Sequence, residues 1–352
     1  MKVLIIQQKM IGDVLTSSIL FEAIKSKYNN AELHYVINSH TYPVVENNPF
    51  IDQFLFVSPD IEKSKSKFYS FLKHIKKEKY DVVIDVYSKT SSNLMTFFSK
   101  AKKRISKHKS YTAFLYTNTF REAKQPKTNA GLAVENRLQL LEPLGLSNDT
   151  IIKPKIYLTD SEKNNAKAFL TTNGINLSKP LYMISVLGSG ASKTYPFEYM
   201  ASVLKTTVDT KPDSQILFNY IPKQAEDARA IYELCDKHVQ DHIFFDVFGK
   251  NLRDFLAITS HCDALIGNEG GAVNMAKALN IPTFTIFSPW IIKEAWNMFD
   301  DGSNHISVHL NDFKPEHYNS VSHLKELKKN SEALYKEFNP ELFEDKLSAF
   351  LS

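Results

Sequence analysis

The sequence predicts an α/β protein of two domains, each built on a parallel sheet. Three observations lead there. Short apolar runs alternate with longer stretches whose apolar residues recur at helical spacing, the pattern of parallel strands joined by crossover helices. This alternation runs through twice, with a break over residues 154–160. At 352 residues and 43% apolar content the chain can also bury two cores.

In the first half, a strand over residues 2–7 leads through Gly12 and Asp13 into a helix over about 14–28. Leu15, Ile19, Ala23 and Ile24 share the face that meets the sheet, which leaves Asp13, Thr16 and Ser17 on another side at the first turn. Asp13 thus stands at the carboxyl end of the first strand, where open α/β sheets place their ligands. The helix dipole alone would also favour an acid there. Strands follow over 32–37, 53–57 and 80–86, with helical stretches near 42–47 and 61–78. Residues 100–109 form the densest positive run, including Lys102, Lys103, Arg104 and Lys107. A solvated face is the default for such a run; contact with a phosphate-bearing acceptor or an anionic membrane surface is the functional alternative. No nucleic-acid module or aromatic platform accompanies the charge, so nucleic acid is not expected as a partner. A helix over 128–145 turns Val134, Leu138 and Leu141 inward and stops at Gly145.

The second half opens with a helix over 161–172, ended by Asn173-Gly174, and a strand over 181–187. The loop Gly188-Ser189-Gly190-Ala191-Ser192-Lys193 then runs into a helix with Pro196 near its start and Glu198 in its first turn. Small residues, a lysine and a helix amino terminus together make an anion cradle, although a plain glycine-serine turn would look similar. Strands over 215–219 and 242–245 alternate with helices over 224–238 and 252–261. Residues 264–266 form a buried strand that breaks at Gly267-Asn268-Glu269-Gly270-Gly271. The following helix carries Ala272, Met275, Ala276 and Leu279 at helical spacing, Asn280 as a left-handed cap and Pro282 as a block, before a strand over 283–287. That makes a second cradle of the same kind. After Trp290 the pattern becomes mostly helical, over 324–338 and 340–351. Neither glycine loop is a G-x-G-x-x-G dinucleotide fingerprint or a Walker A loop.

Composition narrows the classes. Two cysteines, Cys235 and Cys262, suggest neither a disulfide framework nor a zinc site, and so a reducing, cytoplasmic setting. The apolar run Val3 to Ile6 is too short for a signal peptide or a membrane span. A net charge of +4 permits an acidic partner without demanding one.

The opening KVLIIQQKMIGDVLTSSIL resembles that of the lipopolysaccharide heptosyltransferases, glycosyltransferase family 9. In the same order follow YDVVIDVYS, VENRLQLLEPLGL, VLGSGASKTYPFEYMASVL and IGNEGGAVNMAKALNIPTFTIFSP, so the resemblance spans residues 1–290. It implies the GT-B architecture: two facing Rossmann-like domains around a cleft, over 1–158 for the acceptor and 159–332 for the nucleotide sugar, with the closing helix over 333–352 packed back on the first domain. It implies Asp13 as general base, with Gly12, Thr16, Lys103, Arg104 and Lys107 toward the acceptor. Gly190, Ser192, Lys193, Glu269, Gly270, Gly271 and Asn274 would hold the donor. Three positions depart from the family pattern: Glu269-Gly270-Gly271 replaces its usual Asp-Thr-Gly, Asn274 stands where a His is common, and Leu132 falls where many members carry another.

The resemblance implies a single inverting displacement. Asp13 would take the acceptor's proton, and Lys193, loop N–H groups and the helix beginning near Gly271 would meet the leaving diphosphate. No Asp-x-Asp motif is present, so a reaction without metal or cofactor is expected. The donor would be a nucleotide sugar of the ADP-heptose kind and the acceptor a lipopolysaccharide core or other lipid-linked glycan. The place of work would be the cytoplasm, with a peripheral seat on the inner face of the cytoplasmic membrane. A sugar-nucleotide epimerase of similar fold and a non-catalytic nucleotide-sugar-binding subunit are the alternatives, since fold alone does not separate them.

Overall fold

Every strand pair among the described residues runs parallel, which requires a crossover after each strand and sets all strand carboxyl ends of one sheet along one edge. The computed structural model describes residues 1–146, 151–318 and 324–352. The chain divides into two units, Met1–Tyr157 and Leu158–Ser352.

The first unit holds β1 (Lys2–Ile6), β2 (Glu32–Asn38), β3 (Gln53–Val57), β4 (Val82–Asp85), β5 (Lys103–Lys107) and β6 (Asn118–Phe120). They lie in the order β3-β2-β1-β4-β5-β6. The strand order reverses between β1 and β4, and helix Ile11–Ser17 leaves the carboxyl end of β1 beside that switch point. Val3 to Ile6 are fully buried on both faces, as a central parallel strand demands. The expected helix over 14–28 breaks at Ser18 into Ile11–Ser17 and Ile19–Lys27, and the Ser18 hydroxyl donates back to the Leu15 carbonyl at 2.7 Å. Helix Thr90–Ser99 and strands β5 and β6 were not anticipated. The basic run is therefore a sheet strand and not merely a solvated face: Ile105 and Ser106 are buried within it, and the flanking charges mask its alternation.

The second unit holds β7 (Leu181–Ser185), β8 (Gln215–Phe218), β9 (Ala264–Asn268), β10 (Thr283–Ile286) and β11 (His305–Val308), in the order β11-β10-β9-β7-β8. Its switch point lies between β7 and β9, which carry the two glycine loops at their carboxyl ends. The strand expected over 242–245 is a single bridge, Ile216 to Ile243, and β11 appears where helix was expected.

The closing helix, Glu344–Leu351, packs on helix Phe197–Thr210 of the second unit. Phe343, Leu347 and Leu351 recur at a four-residue spacing and enter the second unit's core, where the Phe343 ring lies 5.9 Å from that of Phe284. Thr206 donates to Glu344 at 3.1 Å beside them.

One charge is fully enclosed in the first unit. Asp85, at the carboxyl end of β4, accepts from the Ser88 N–H at 2.7 Å and from the Tyr116 hydroxyl at 2.6 Å. That hydroxyl also lies 2.6 Å from the Asn93 Oδ1, and its one proton can serve only one of the two acceptors. Burial raises the Asp85 pKa from 3.8 to about 6. The native state then holds this proton more tightly than the unfolded chain. The stabilisation is complete below the unfolded value and is lost as pH rises through about 6, a change of about 3 kcal/mol. Asp85→Asn should flatten this dependence: between pH 4 and 7 the variant should gain on the wild type by up to that amount in denaturant melts. A difference independent of pH would show that Asp85 is ionised throughout.

Candidate active site

Asp13 occupies the third position of helix Ile11–Ser17, directly after β1. Its Oδ1 accepts from the Arg137 Nη2 at 2.7 Å, across 124 residues of chain. The same guanidinium donates from Nε to the Ser17 hydroxyl at 2.8 Å and from Nη1 to the Ala133 carbonyl at 2.7 Å, so its plane is fixed. The other carboxylate oxygen, Oδ2, has only a long contact of 3.5 Å from the Met10 N–H. The Asp13 side chain is 29% exposed and that of Arg137 12%. One oxygen is thus held while the other is left able to accept a proton. Tyr35, fully buried, supports this turn from below by donating to the Val14 carbonyl at 2.8 Å.

Arg137 lies on helix Leu132–Leu138, whose start is set by Glu135. Its carboxylate accepts from the Thr128 N–H at 2.7 Å, the Thr128 hydroxyl at 2.8 Å and the Lys127 N–H at 3.0 Å, and so closes the preceding loop. Leu132 opens that helix and is buried.

Of the other residues assigned to the acceptor, Gly12 and Thr16 share helix Ile11–Ser17 with Asp13, while the three basic ones are spread along β5. Thr16 is buried, and its hydroxyl donates to the Gly12 carbonyl at 2.8 Å within the helix. Lys103 and Arg104 lie toward the amino end of β5, away from the edge that carries Asp13. Lys103 donates to the Pro143 carbonyl at 2.7 Å, and Arg104 to the Leu115 and Ala101 carbonyls at 2.8 and 3.1 Å. Lys107 stands at the carboxyl end and pairs with Glu122 at 3.4 Å.

In the second unit the two glycine loops meet. At their junction Asn268, the last residue of β9 and 1% exposed, spends its whole side chain on backbone. Its Oδ1 accepts from the Tyr195 N–H at 2.7 Å, and its Nδ2 donates to the Ser185 and Val186 carbonyls at 2.9 Å each. The approach is so close that a Cβ on Gly188 would lie 2.1 Å from the Lys193 carbonyl oxygen. One on Gly267, at φ +125°, would lie 2.5 Å from that of Ser185.

Lys193 emerges from this junction and pairs with Glu269 at 3.1 Å. Glu269 is 8% exposed and Lys193 30%. Trp290 sets the lysine's loop: its indole N–H donates to the Ser192 carbonyl at 2.6 Å, joined by the Ser288 hydroxyl at 2.9 Å. The same ring has the Lys193 ammonium 5.7 Å from its centroid and that of Lys328 4.9 Å away. Buried Tyr335, kept protonated by its burial, faces Ser288 and Glu269. No heavy atom lies within 4 Å of where a Cβ would sit on Gly190 or Gly270. Gly271 starts helix Gly271–Ala278, and the half-buried Asn274 stands in its first turn, its N–H bonded to the Gly270 carbonyl at 3.3 Å. All seven residues assigned to the donor thus belong to the two loops and the helix start around this junction. Sequence reasoning passed over Arg137, Asn268 and Trp290. Arg137 and Asn268 lay inside motifs already noted and Trp290 directly after one, but their partners come from distant segments.

Comparison with known proteins fits this arrangement. The family model described as glycosyltransferase family 9 (heptosyltransferase) matches residues 68–321. Lipopolysaccharide heptosyltransferase 1 of Campylobacter coli is 24% identical over 303 residues, which cover 82% of this chain and 84% of that one. Among solved structures, the glycosyl transferase family 9 protein of Veillonella parvula DSM 2008 superposes with a TM-score of 0.73 at 16% identity, covering 96% and 97% of the two chains. The E. coli ADP-heptose LPS heptosyltransferase II gives 0.72 at 15% identity, covering 100% and 98%. The likeness shows the fold expected from the sequence, the GT-B type with two parallel-sheet α/β domains.

The junction gives a direct test of what holds the second unit's loops. Asn268→Ala leaves three backbone groups without partners, and unfolding by denaturant should lose roughly 3 kcal/mol or more. Asn268→Asp should fare no better, since it turns an oxygen toward two carbonyls. A loss under about 1 kcal/mol in both would show that the loops are held by other contacts.

Proposed function

We infer the reaction from the premise that the chain belongs to glycosyltransferase family 9, the heptosyltransferase family. It is a glycosyltransferase. It moves a heptose from an ADP-heptose donor to a lipopolysaccharide core; the names of its relatives carry heptosyl transfer, lipopolysaccharide and, in one, ADP-heptose. The observation that carries the mechanism is the Asp13 carboxylate, with one oxygen held by Arg137 and the other open.

The acceptor hydroxyl gives its proton to the open Asp13 oxygen as its own oxygen attacks the anomeric carbon. A carbon–oxygen bond forms there with inversion while the bond to the diphosphate breaks, and the nucleoside diphosphate leaves with the electron pair. A placed base contributes about 100- to 10,000-fold. Arg137 keeps its place through transfer because its other two donors hold it to Ser17 and Ala133. On the donor side the diphosphate draws the Lys193 ammonium from Glu269, and the N–H groups at Gly271 and the 188–193 loop receive the growing charge, with no metal required. Glu269, released and nearly enclosed, accepts from sugar or ribose hydroxyls.

Incubation with ADP-heptose and a heptose-deficient lipopolysaccharide core should release ADP and add one heptose to the core by mass spectrometry. Without core, the donor should stay unchanged. A changed donor sugar in that control would make the protein an epimerase, and binding without turnover would make it a carrier. Lys193→Ala should weaken ADP binding by calorimetry about tenfold or more, the worth of a hydrogen bond to a charged group. Unchanged affinity would remove Lys193 from the site.

A further inference from the structure

Helix Thr90–Ser99 carries its polarity the wrong way round for a helix facing water. Ser92, Thr96 and Ser99 are buried with Met95, while Leu94 and Phe97 are exposed. The exposed pair is spaced at three residues, one stripe of the helix, and no residue of the helix is charged. A surface helix in water turns the reverse face outward.

Its surroundings continue the pattern. Beside it packs helix Lys65–Lys77, with five lysines and no acid. The Tyr69 ring, 50% exposed, meets Phe98 at 6.3 Å, and Phe98 meets the 46% exposed Phe97 at 5.9 Å, so the rings form one band. Lys73 lays its ammonium over the Tyr69 ring at 4.6 Å and Lys100 over the Phe97 ring at 4.3 Å. On another side the turn Ala113–Leu115 packs against the same helix, and the Tyr116 hydroxyl after it lies 2.6 Å from the Asn93 Oδ1. That turn carries Phe114, 80% exposed, close in sequence to Tyr111, 72% exposed. Among the described residues no other large apolar side chain stands further out.

We propose that this face of the first unit docks on an anionic lipid bilayer. Aromatic and aliphatic side chains would enter the headgroup region while Lys73 and Lys100, whose ammonium groups lie over the rings, reach lipid phosphates. Charge selects the occupant: the lysine-rich, acid-free helix matches a negative surface. Among the described residues no helix is long and apolar enough to cross a membrane, so the contact is peripheral. The surface is distinct from the basic strand β5, whose Lys103, Arg104 and Lys107 close on local acceptors. The inference stands on this surface alone and needs no particular sugar to be transferred.

Flotation of the full chain with vesicles of phosphatidylethanolamine and phosphatidylglycerol tests it, with phosphatidylcholine vesicles as the neutral control. Binding is expected to the anionic vesicles only, and to fall as salt is raised. Lys73→Ala and Lys100→Ala should each weaken it about fivefold, and Phe97→Ser roughly tenfold or more. Circular dichroism would establish that each variant is folded, and these exposed positions should leave melting nearly unchanged. Three results would overturn the proposal: no binding to anionic vesicles, equal binding to neutral ones, or variants that float like the wild type. Self-association through this face, seen by sedimentation and abolished by Phe97→Ser while vesicle binding is absent, would assign it to a second copy instead.

Discussion

Asn268 is the constraint on which the two glycine loops of the second unit depend. Parallel strands end at different heights, and each leaves backbone groups that no neighbouring strand can pair. The buried amide at the end of β9 satisfies one N–H and two carbonyls of the β7 loop at once. Drawing two loops this close excludes a side chain at Gly188 and Gly267. With the strand ends fixed, Trp290 and Ser288 can hold the Ser192 carbonyl, and the next residue, Lys193, has its Nζ beside Glu269. A cradle for a diphosphate needs such rigidity, because donors that must reorganise during the reaction lose most of their electrostatic advantage.

Both charged groups proposed for catalysis have partners within the protein, and the two pairings differ in kind. Arg137 holds Asp13 from a guanidinium tied at two further points, so that pair is built to persist. Lys193 has a more exposed ammonium and a nearly enclosed carboxylate opposite, so that pair is built to exchange. Separating it without a substitute would leave Glu269 buried and unpaired at a cost of several kcal/mol. A ligand carrying both a diphosphate and hydroxyls supplies a substitute for each side.

Much of this was readable from the chain, and what escaped shares a cause. β1, β7, β9 and β10 are short apolar runs buried on both faces, so composition announces them. The glycine loops and Lys193 are local patterns, and the seven residues assigned to the donor lie on those two loops and the helix start beside them. β5 was hidden because strand alternation is carried there by lysines and a serine, residues whose charge and polarity suggest solvent. Arg137 lies on a helix far along the chain, and nothing in its own neighbourhood points to Asp13. The closing helix's apolar stripe was legible, and the surface that receives it lies on helix Phe197–Thr210, a pairing that no local pattern announces.

The central claim is that Asp13 takes the acceptor's proton, and one variant tests it most directly. Asp13→Asn keeps an oxygen for Arg137 and the shape of the turn while removing the base. Transfer rate with saturating donor and acceptor should fall by about two orders of magnitude or more. ADP affinity and melting temperature, measured on the same sample, should stay close to wild type. Near-wild-type transfer, with or without a change in stability, would reduce Asp13 to a helix-capping residue and contradict the mechanism.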